Sequence, residues 1–167
     1  MIDDKPFPMP FDVMCSVRPL LGGYFYDELV KDIYATSVSI YAMQYQWRWN
    51  THERQGKVQM LGTAIQQAKR RGCKICVVMN DTSPGSNITK INQVTANALN
   101  KLGVDAVLKK TEGLIHSKLW VLDSNITYIG SHNISSRSLS TNEESSVRIE
   151  SKEIAKFMTE YIMKVKG

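Results

Sequence analysis

At 167 residues and 43% hydrophobic content, the chain is long enough to bury a sizeable core and short for two, so one domain over residues 1–167 is expected. With 21 Lys and Arg against 16 Asp and Glu, the net charge of +5 favours anionic partners such as nucleic acid or acidic lipid. No run approaches the roughly 20 apolar residues needed to cross a bilayer. The start Met1-Ile2-Asp3-Asp4-Lys5 lacks a basic region followed by an apolar core, so a soluble, cytoplasmic chain without stable membrane insertion is expected.

In chain order, Asp12 to Val17 reads as a short strand, and Phe25 to Tyr34 places Leu29, Val30 and Ile33 on one helical face. Ser37 to Met43 alternates Val38, Ile40 and Ala42 with other residues, as a half-buried strand does. Lys57 to Arg71 carries Leu61, Ala64, Ile65 and Ala68 at helical spacing and stops at Gly72. The strand Lys74 to Asn80 follows, then a turn at Pro84-Gly85. Ser86 can cap a helix from Asn87 to Leu102 that ends at Gly103, and Asp105 to Lys109 is a further strand. Leu114 to Leu122 and Thr127 to Ser131 are predicted as a hairpin joined around Asp123-Ser124-Asn125. Ser145 to Ile149 closes the sheet, and Ser151 caps a last helix with Ile154, Phe157, Met158, Tyr161, Ile162 and Val165 on its apolar face. Strands alternating with helices, then a hairpin and one more strand, indicate an α/β fold: a mixed sheet sandwiched between helices.

Three cysteines without an export signal point to thiols in a reducing compartment. Cys73-Lys74-Ile75-Cys76 has the C-x-x-C spacing but runs into Val77-Val78-Met79, whereas a redox pair normally opens a helix. No second ligand pair accompanies it for zinc. Core cysteines are the expectation. Sequons stand at Asn80, Asn87, Asn125 and Asn133, and they matter only in a secreted chain.

The chemistry concentrates between residues 116 and 144. Residues two apart on a strand share a face, so His116 and Lys118 project together, as do Ser131 and Asn133 if their strand stays extended. A hairpin could bring these pairs side by side, giving an imidazole, a fixed cation, a hydroxyl and an amide without a carboxylate cluster suited to a metal. Such a set suits phosphate. The imidazole can attack phosphorus while Lys118, Ser131 and Asn133 stabilise the non-bridging oxygens. Gly130 permits close backbone approach. Asp123 is expected to fix the hairpin through backbone or Lys/Arg contacts. Glu143 or Glu144 can accept a hydrogen bond from His116, or both can be solvated carboxylates.

His116-x-Lys118-x4-Asp123-x6-Gly130-Ser131-x-Asn133 resembles the signature of the phospholipase D superfamily, in the form of its single-motif, nuclease-like members. Six positions at about 5% usage each give a chance match on the order of 10⁻⁸ per window. The resemblance implies a metal-independent phosphodiesterase without cofactor. One histidine would form a phosphohistidine intermediate, and a second would protonate the leaving oxygen and then activate water. It also implies a downstream glutamate, for which the spacing favours Glu144.

Longer members of the superfamily carry two motifs and this chain has one, so the second histidine must come from elsewhere. His132 alternates away from Ser131 and Asn133, and His52 sits in the polar run Asn50-Thr51-His52-Glu53-Arg54. A homodimer with a two-fold axis through a shared site is therefore expected.

Nucleic acid is the expected substrate. Trp47, Arg48 and Trp49 suit base stacking and phosphate binding beside the cleft, or else the tryptophans are core or interface anchors. Lys109 and Lys110 can line a polyanion path, whereas Lys69-Arg70-Arg71 reads as a solvated helix end. The competing readings are a phospholipase or phosphatidyltransferase acting on lipid, and a nucleic-acid-binding module that has lost catalysis.

Overall fold

The computed structural model describes residues 11–49, 56–83 and 85–167. In chain order the elements are β1 (Ser16–Leu21), α1 (Tyr24–Ala35), β2 (Ser39–Gln44), α2 (Lys57–Arg70), β3 (Lys74–Asn80), α3 (Asn87–Lys101), β4 (Asp105–Lys109), β5 (Lys118–Leu122), β6 (Ile126–Gly130), β7 (Ser145–Glu150) and α4 (Lys152–Lys166). All seven strands form one mixed sheet in the order β1-β7-β6-β5-β2-β3-β4. Only β2, β3 and β4 run parallel, as their helical crossovers require.

Alternation along the central strands sorts side chains onto two faces. Ile40 and Ala42 of β2 join Leu29, Ile33, Leu61, Ile65, Leu99 and Trp120 beneath α1, α2 and α3. Tyr41 and Met43 face the other way, with Val121 and Ile162 under α4. The two cysteines of the C-x-x-C segment divide in the same manner, Cys73 into the first cluster and Cys76 into the second. Burial raises both thiol pKa values, so neither is prepared for redox chemistry.

Local signals explain most boundaries. The Ser86 and Ser151 hydroxyls accept from the backbone N–H groups of Ile88 and Ile154, capping α3 and α4. Gly72, with φ of +91°, reverses the chain between α2 and β3. At the β5–β6 turn Asp123 and Ser124 both have positive φ, 50° and 52°, and Asn125 N–H closes onto the Leu122 carbonyl at 3.0 Å. This two-residue turn matches the twist of its strands. The Asp123 carboxylate accepts the N–H groups of Ser37, Val38 and Ser39 at 2.9, 2.8 and 2.9 Å. It thereby ties the hairpin to the start of β2.

Three sequence expectations are corrected. The first strand runs from Ser16 to Leu21 and not from Asp12 to Val17, because its extent is set by antiparallel pairing with β7, from Ser16↔Glu150 to Leu21↔Ser145. Pro19 is tolerated because β1 is an edge strand. Residues 114–117 do not extend β5: Ile115 N–H donates to the Asn80 side chain at 2.9 Å, and the Ser117 carbonyl accepts from Tyr45 N–H at 2.9 Å. Finally, Arg71 is not merely a solvated helix end. Its guanidinium donates to the carbonyls of Ile33 (2.8 Å) and Thr36 (2.9 and 3.2 Å), satisfying the C-terminus of α1.

Candidate active site

The sheet delivers the motif residues to one edge. Strands β2 and β6 end there, and β5 and β7 begin there. Gln44 stands opposite Lys118, Leu119 opposite Ile129, and Gly130 opposite Ser146. His116, Lys118, Gly130, Ser131, Asn133, Glu144 and Ser145 line a single open cavity of about 540 Å³ at this edge.

Gly130 is required by that crowding. A Cβ at this position would overlap the Ser146 backbone and the Ser145 carbonyl, so only glycine lets β6 and β7 close at the rim. Beyond it the chain is held by Ser131 N–H donating to the Ser145 carbonyl at 2.9 Å and by Ser145 N–H donating to Ser131 Oγ at 3.1 Å.

His116 is exposed at the cavity mouth, with its ring 4.7 Å from that of Tyr45. Lys118 is buried. Its ammonium donates to the His116 carbonyl at 2.6 Å and lies 5.2 Å above the same Tyr45 ring. Burial lowers the lysine pKa, and the nearby Glu144 charge partly restores it. Tyr45 thus contacts both His116 and Lys118, and nothing in the local pattern marked it, because it follows β2 and meets them only through the Gln44↔Lys118 register.

Glu144 is not the partner of His116. Its carboxylate accepts from the Ser131 hydroxyl, from the Ser138 hydroxyl at 2.8 Å and from Asn142 at 3.2 Å. Burial pushes its pKa up, but these bonds and the nearby His132 outweigh that and leave it below the ordinary carboxylate value. The glutamate therefore organises the loop after Ser131. Glu143 is exposed and does not line the cavity. The Asn133 amide presents a buried Oδ1 without a protein partner.

His132 faces the interior. Its Nε2–H donates to the Gly22 carbonyl at 2.9 Å, which leaves Nδ1 to accept from the Ser146 hydroxyl at 2.7 Å. The ring stacks on Phe25 at 4.2 Å, and burial lowers its pKa against the opposing effects of the Gly22 carbonyl and Glu144. Gly22 N–H also donates to the Glu144 carbonyl at 2.9 Å, so the β1–α1 turn braces both sides of the motif loop.

The aromatic segment divides. Trp47 is fully buried, 5.3 Å from Trp120, with its backbone held by Asn92 and Thr95 of α3. It cannot stack a base. Trp49 is half-buried and lies so close to Gly62 that a Cβ there would collide with its ring, making it a packing residue for α2. Arg48 alone points outward, into a neighbouring cavity that it lines together with Asn133. Lys109 and Lys110 occupy the same sheet edge at the end of β4 but do not line the cavity. With β2 and β3 intervening, they stand about 14 Å along the sheet from β5. His52 and Arg54 lie outside the described residues.

The sequence matches a family model described as "Cardiolipin synthase, PLD-like domain" over residues 29–166. No curated protein matches it. Among solved structures, the fold is similar to the phospholipase D family member Nuc from Salmonella typhimurium, with a TM-score of 0.75 and 18% identity over 91% of this chain and 94% of that one. NucT from Helicobacter pylori gives 0.69 and 16% over 91% and 96%. The phosphatidylserine synthase of Haemophilus influenzae Rd KW20 gives 0.70 and 10% over 91% of this chain and 39% of that one. Since the family model spans most of the sequence and the mixed sheet matches the same fold, this chain belongs to the phospholipase D superfamily, as a PLD-like domain.

Proposed function

We propose that the chain is a metal-independent phosphodiesterase that cleaves DNA or RNA through a phosphohistidine, at a site completed by a second copy of itself. The observation that carries this reading is the convergence of His116, Lys118, Ser131 and Asn133 on one open cavity, with a single imidazole facing it among the described residues. An anion of tetrahedral oxygens is what a fixed ammonium, a hydroxyl and an amide recognise together. The donor set is poor for a catalytic metal, because among the described residues each copy offers its cavity one histidine and one carboxylate, and that carboxylate is already engaged by Ser131, Ser138 and Asn142.

The neutral His116 imidazole attacks phosphorus. A P–N bond forms, the P–O bond to the leaving group breaks, and the partner copy's imidazolium delivers a proton to the departing oxygen. The same partner imidazole, now neutral, takes a proton from water, whose oxygen attacks phosphorus and breaks the P–N bond. Lys118 and Asn133 stabilise the charge that develops on the non-bridging oxygens in both steps.

The family description and the phosphatidylserine synthase neighbour favour lipid as the competing substrate. Against it, no apolar side chain among the described residues lines the cavity. A binding module without activity has no need of an exposed imidazole beside a buried lysine. Plasmid, single-stranded DNA, RNA and anionic vesicles incubated in parallel with excess EDTA test the assignment: nucleic acid is expected to be cleaved in chelator. Activity lost in EDTA and restored by magnesium would remove the metal-independent mechanism.

Among the described histidines, His132 is committed to Gly22 and Ser146, which leaves His116 as the one at the cavity. If one site uses His116 from both subunits, a dimer of one wild-type and one His116→Ala chain is inactive. Equal amounts co-refolded at random then give about one quarter of the wild-type activity, whereas independent sites give about one half. A value near one half, with subunit exchange verified by tags, shows that the second proton donor lies within the chain.

A further inference from the structure

We infer that the cavity beside the reaction site is a second anion subsite, which holds the phosphate next to the scissile one when a polynucleotide strand is bound. This rests on the phosphodiesterase reading above. The cavity encloses about 440 Å³, and its wall includes Gln46, Arg48, Asn133, Ser135, Arg137 and Asn142. Asn133 is the partition, since it also lines the cavity of His116 and Lys118. Two anions would therefore sit on either side of one side chain.

The wall is assembled by a contact between two loops. Ile134 N–H donates to the Gln46 carbonyl at 3.0 Å and Arg48 N–H donates to the Ile134 carbonyl at 2.8 Å, so the segments that follow β2 and β6 pair briefly in parallel. That pairing sets Arg48 beside Asn133. Arg137 comes from the turn just after it, where its carbonyl accepts from the N–H groups of Ser140, Thr141 and Asn142 at 3.2, 2.9 and 2.9 Å. Both arginines are exposed, and among the described residues neither guanidinium has a hydrogen bond or ion pair.

Two guanidinium groups around one cavity, neither paired by a described residue, repel each other, and a bound phosphate removes that repulsion while accepting their forked N–H donors. Among the described residues no carboxylate lines the cavity. The Glu144 carboxylate is engaged by Ser131, Ser138 and Asn142, and Glu143 is exposed and does not line the cavity. The described lining is hydroxyls, amides and two cations, without an apolar side chain to receive an acyl chain. A repeating phosphodiester satisfies two adjacent compartments of this kind, whereas a substrate with one phosphate fills only the first.

The test compares Arg48→Ala, Arg137→Ala and the double variant on two substrates: bis(p-nitrophenyl) phosphate, which has one phosphate, and a labelled single-stranded oligonucleotide. The double variant is expected to lose kcat/KM on the oligonucleotide roughly tenfold more than on the small diester. In a His116→Ala background, oligonucleotide binding by the double variant should show a salt slope smaller by about 0.7, the share of one single-strand phosphate. Equal effects on both substrates, or an unaltered salt slope, overturn the subsite. Tighter binding to cardiolipin vesicles than to the oligonucleotide, abolished in the double variant, would replace the strand by a lipid carrying two phosphates and overturn the assignment. If the wild type hydrolyses neither substrate, the phosphodiesterase reading fails on its own, and the salt slope still decides whether the arginines hold a strand.

Discussion

His116→Ala is expected to abolish hydrolysis, lowering turnover by at least about 10³-fold, while oligonucleotide binding persists. The magnitude follows from the proposed symmetry. In a dimeric site one copy of His116 supplies the nucleophile and the other the acid, so a single substitution removes both roles at once, and losing acid–base catalysis alone costs about 10² to 10⁴ in rate. Binding should survive because Lys118, Ser131, Asn133 and the two arginines of the adjacent cavity are untouched. Initial rates on the same oligonucleotide, with binding followed by fluorescence anisotropy, separate the two effects. A variant retaining more than about a tenth of the wild-type rate would show that another group attacks phosphorus. Lys118→Ala should differ in kind, weakening both binding and turnover, since its ammonium faces the oxygens in the ground state as well as in the transition state.

The largest stability effect is expected far from the cavity, at Asp32. Its carboxylate, on α1, accepts from Arg148 Nε at 2.6 Å and from the Tyr128 hydroxyl, bridging the helix to β7 and β6. Both members of the ion pair are largely buried, with side-chain exposures of 13% for Arg148 and 11% for Asp32. Burial and the hydrogen bond to Asp32 raise the Tyr128 pKa, so the phenol stays protonated and remains a donor. For Arg148, burial acts to lower the pKa, and the bonds to Asp32 and Glu150 outweigh it. Asp32→Ala would leave the phenol without its acceptor beneath the helix and the largely buried guanidinium with only the exposed Glu150 carboxylate. The expected loss is about 3 to 5 kcal/mol, read as a fall in Tm of roughly 10 °C. Asp32→Leu combined with Arg148→Met removes both charges together and should recover much of it. Thermal unfolding of the single and double variants checks the argument. A double variant no better than Asp32→Ala would mean that the helix is held by its apolar face alone.

Local signals in the sequence carry much of this fold. Lys74–Asn80 and Asp105–Lys109 are legible with both ends correct, because each is a short apolar run preceded by a glycine that stops a helix. Ser86 and Ser151 mark helix starts for the same local reason, a hydroxyl satisfying a backbone N–H two or three residues on. The motif residues are legible as residue types at fixed spacing. The hairpin that brings them together is legible as well, but the way His116 is carried is not, since it lies before β5 begins and reaches the cavity through a segment held by Asn80 and Tyr45.

Composition, helix caps, buried strands and the His116-to-Asn133 pattern are thus properties the sequence determines by itself, for each depends on residues a few positions apart. The burial of Trp47 against Trp120, the seat of Glu144 among Ser131, Ser138 and Asn142, the meeting of Arg48 with Arg137 and the Asp32–Arg148 pair were decided only by tertiary structure. Periodicity records which face of an element is covered but not what covers it. The covering residue is chosen by sheet order and strand register, which bring together positions as far apart as Asp32 and Arg148.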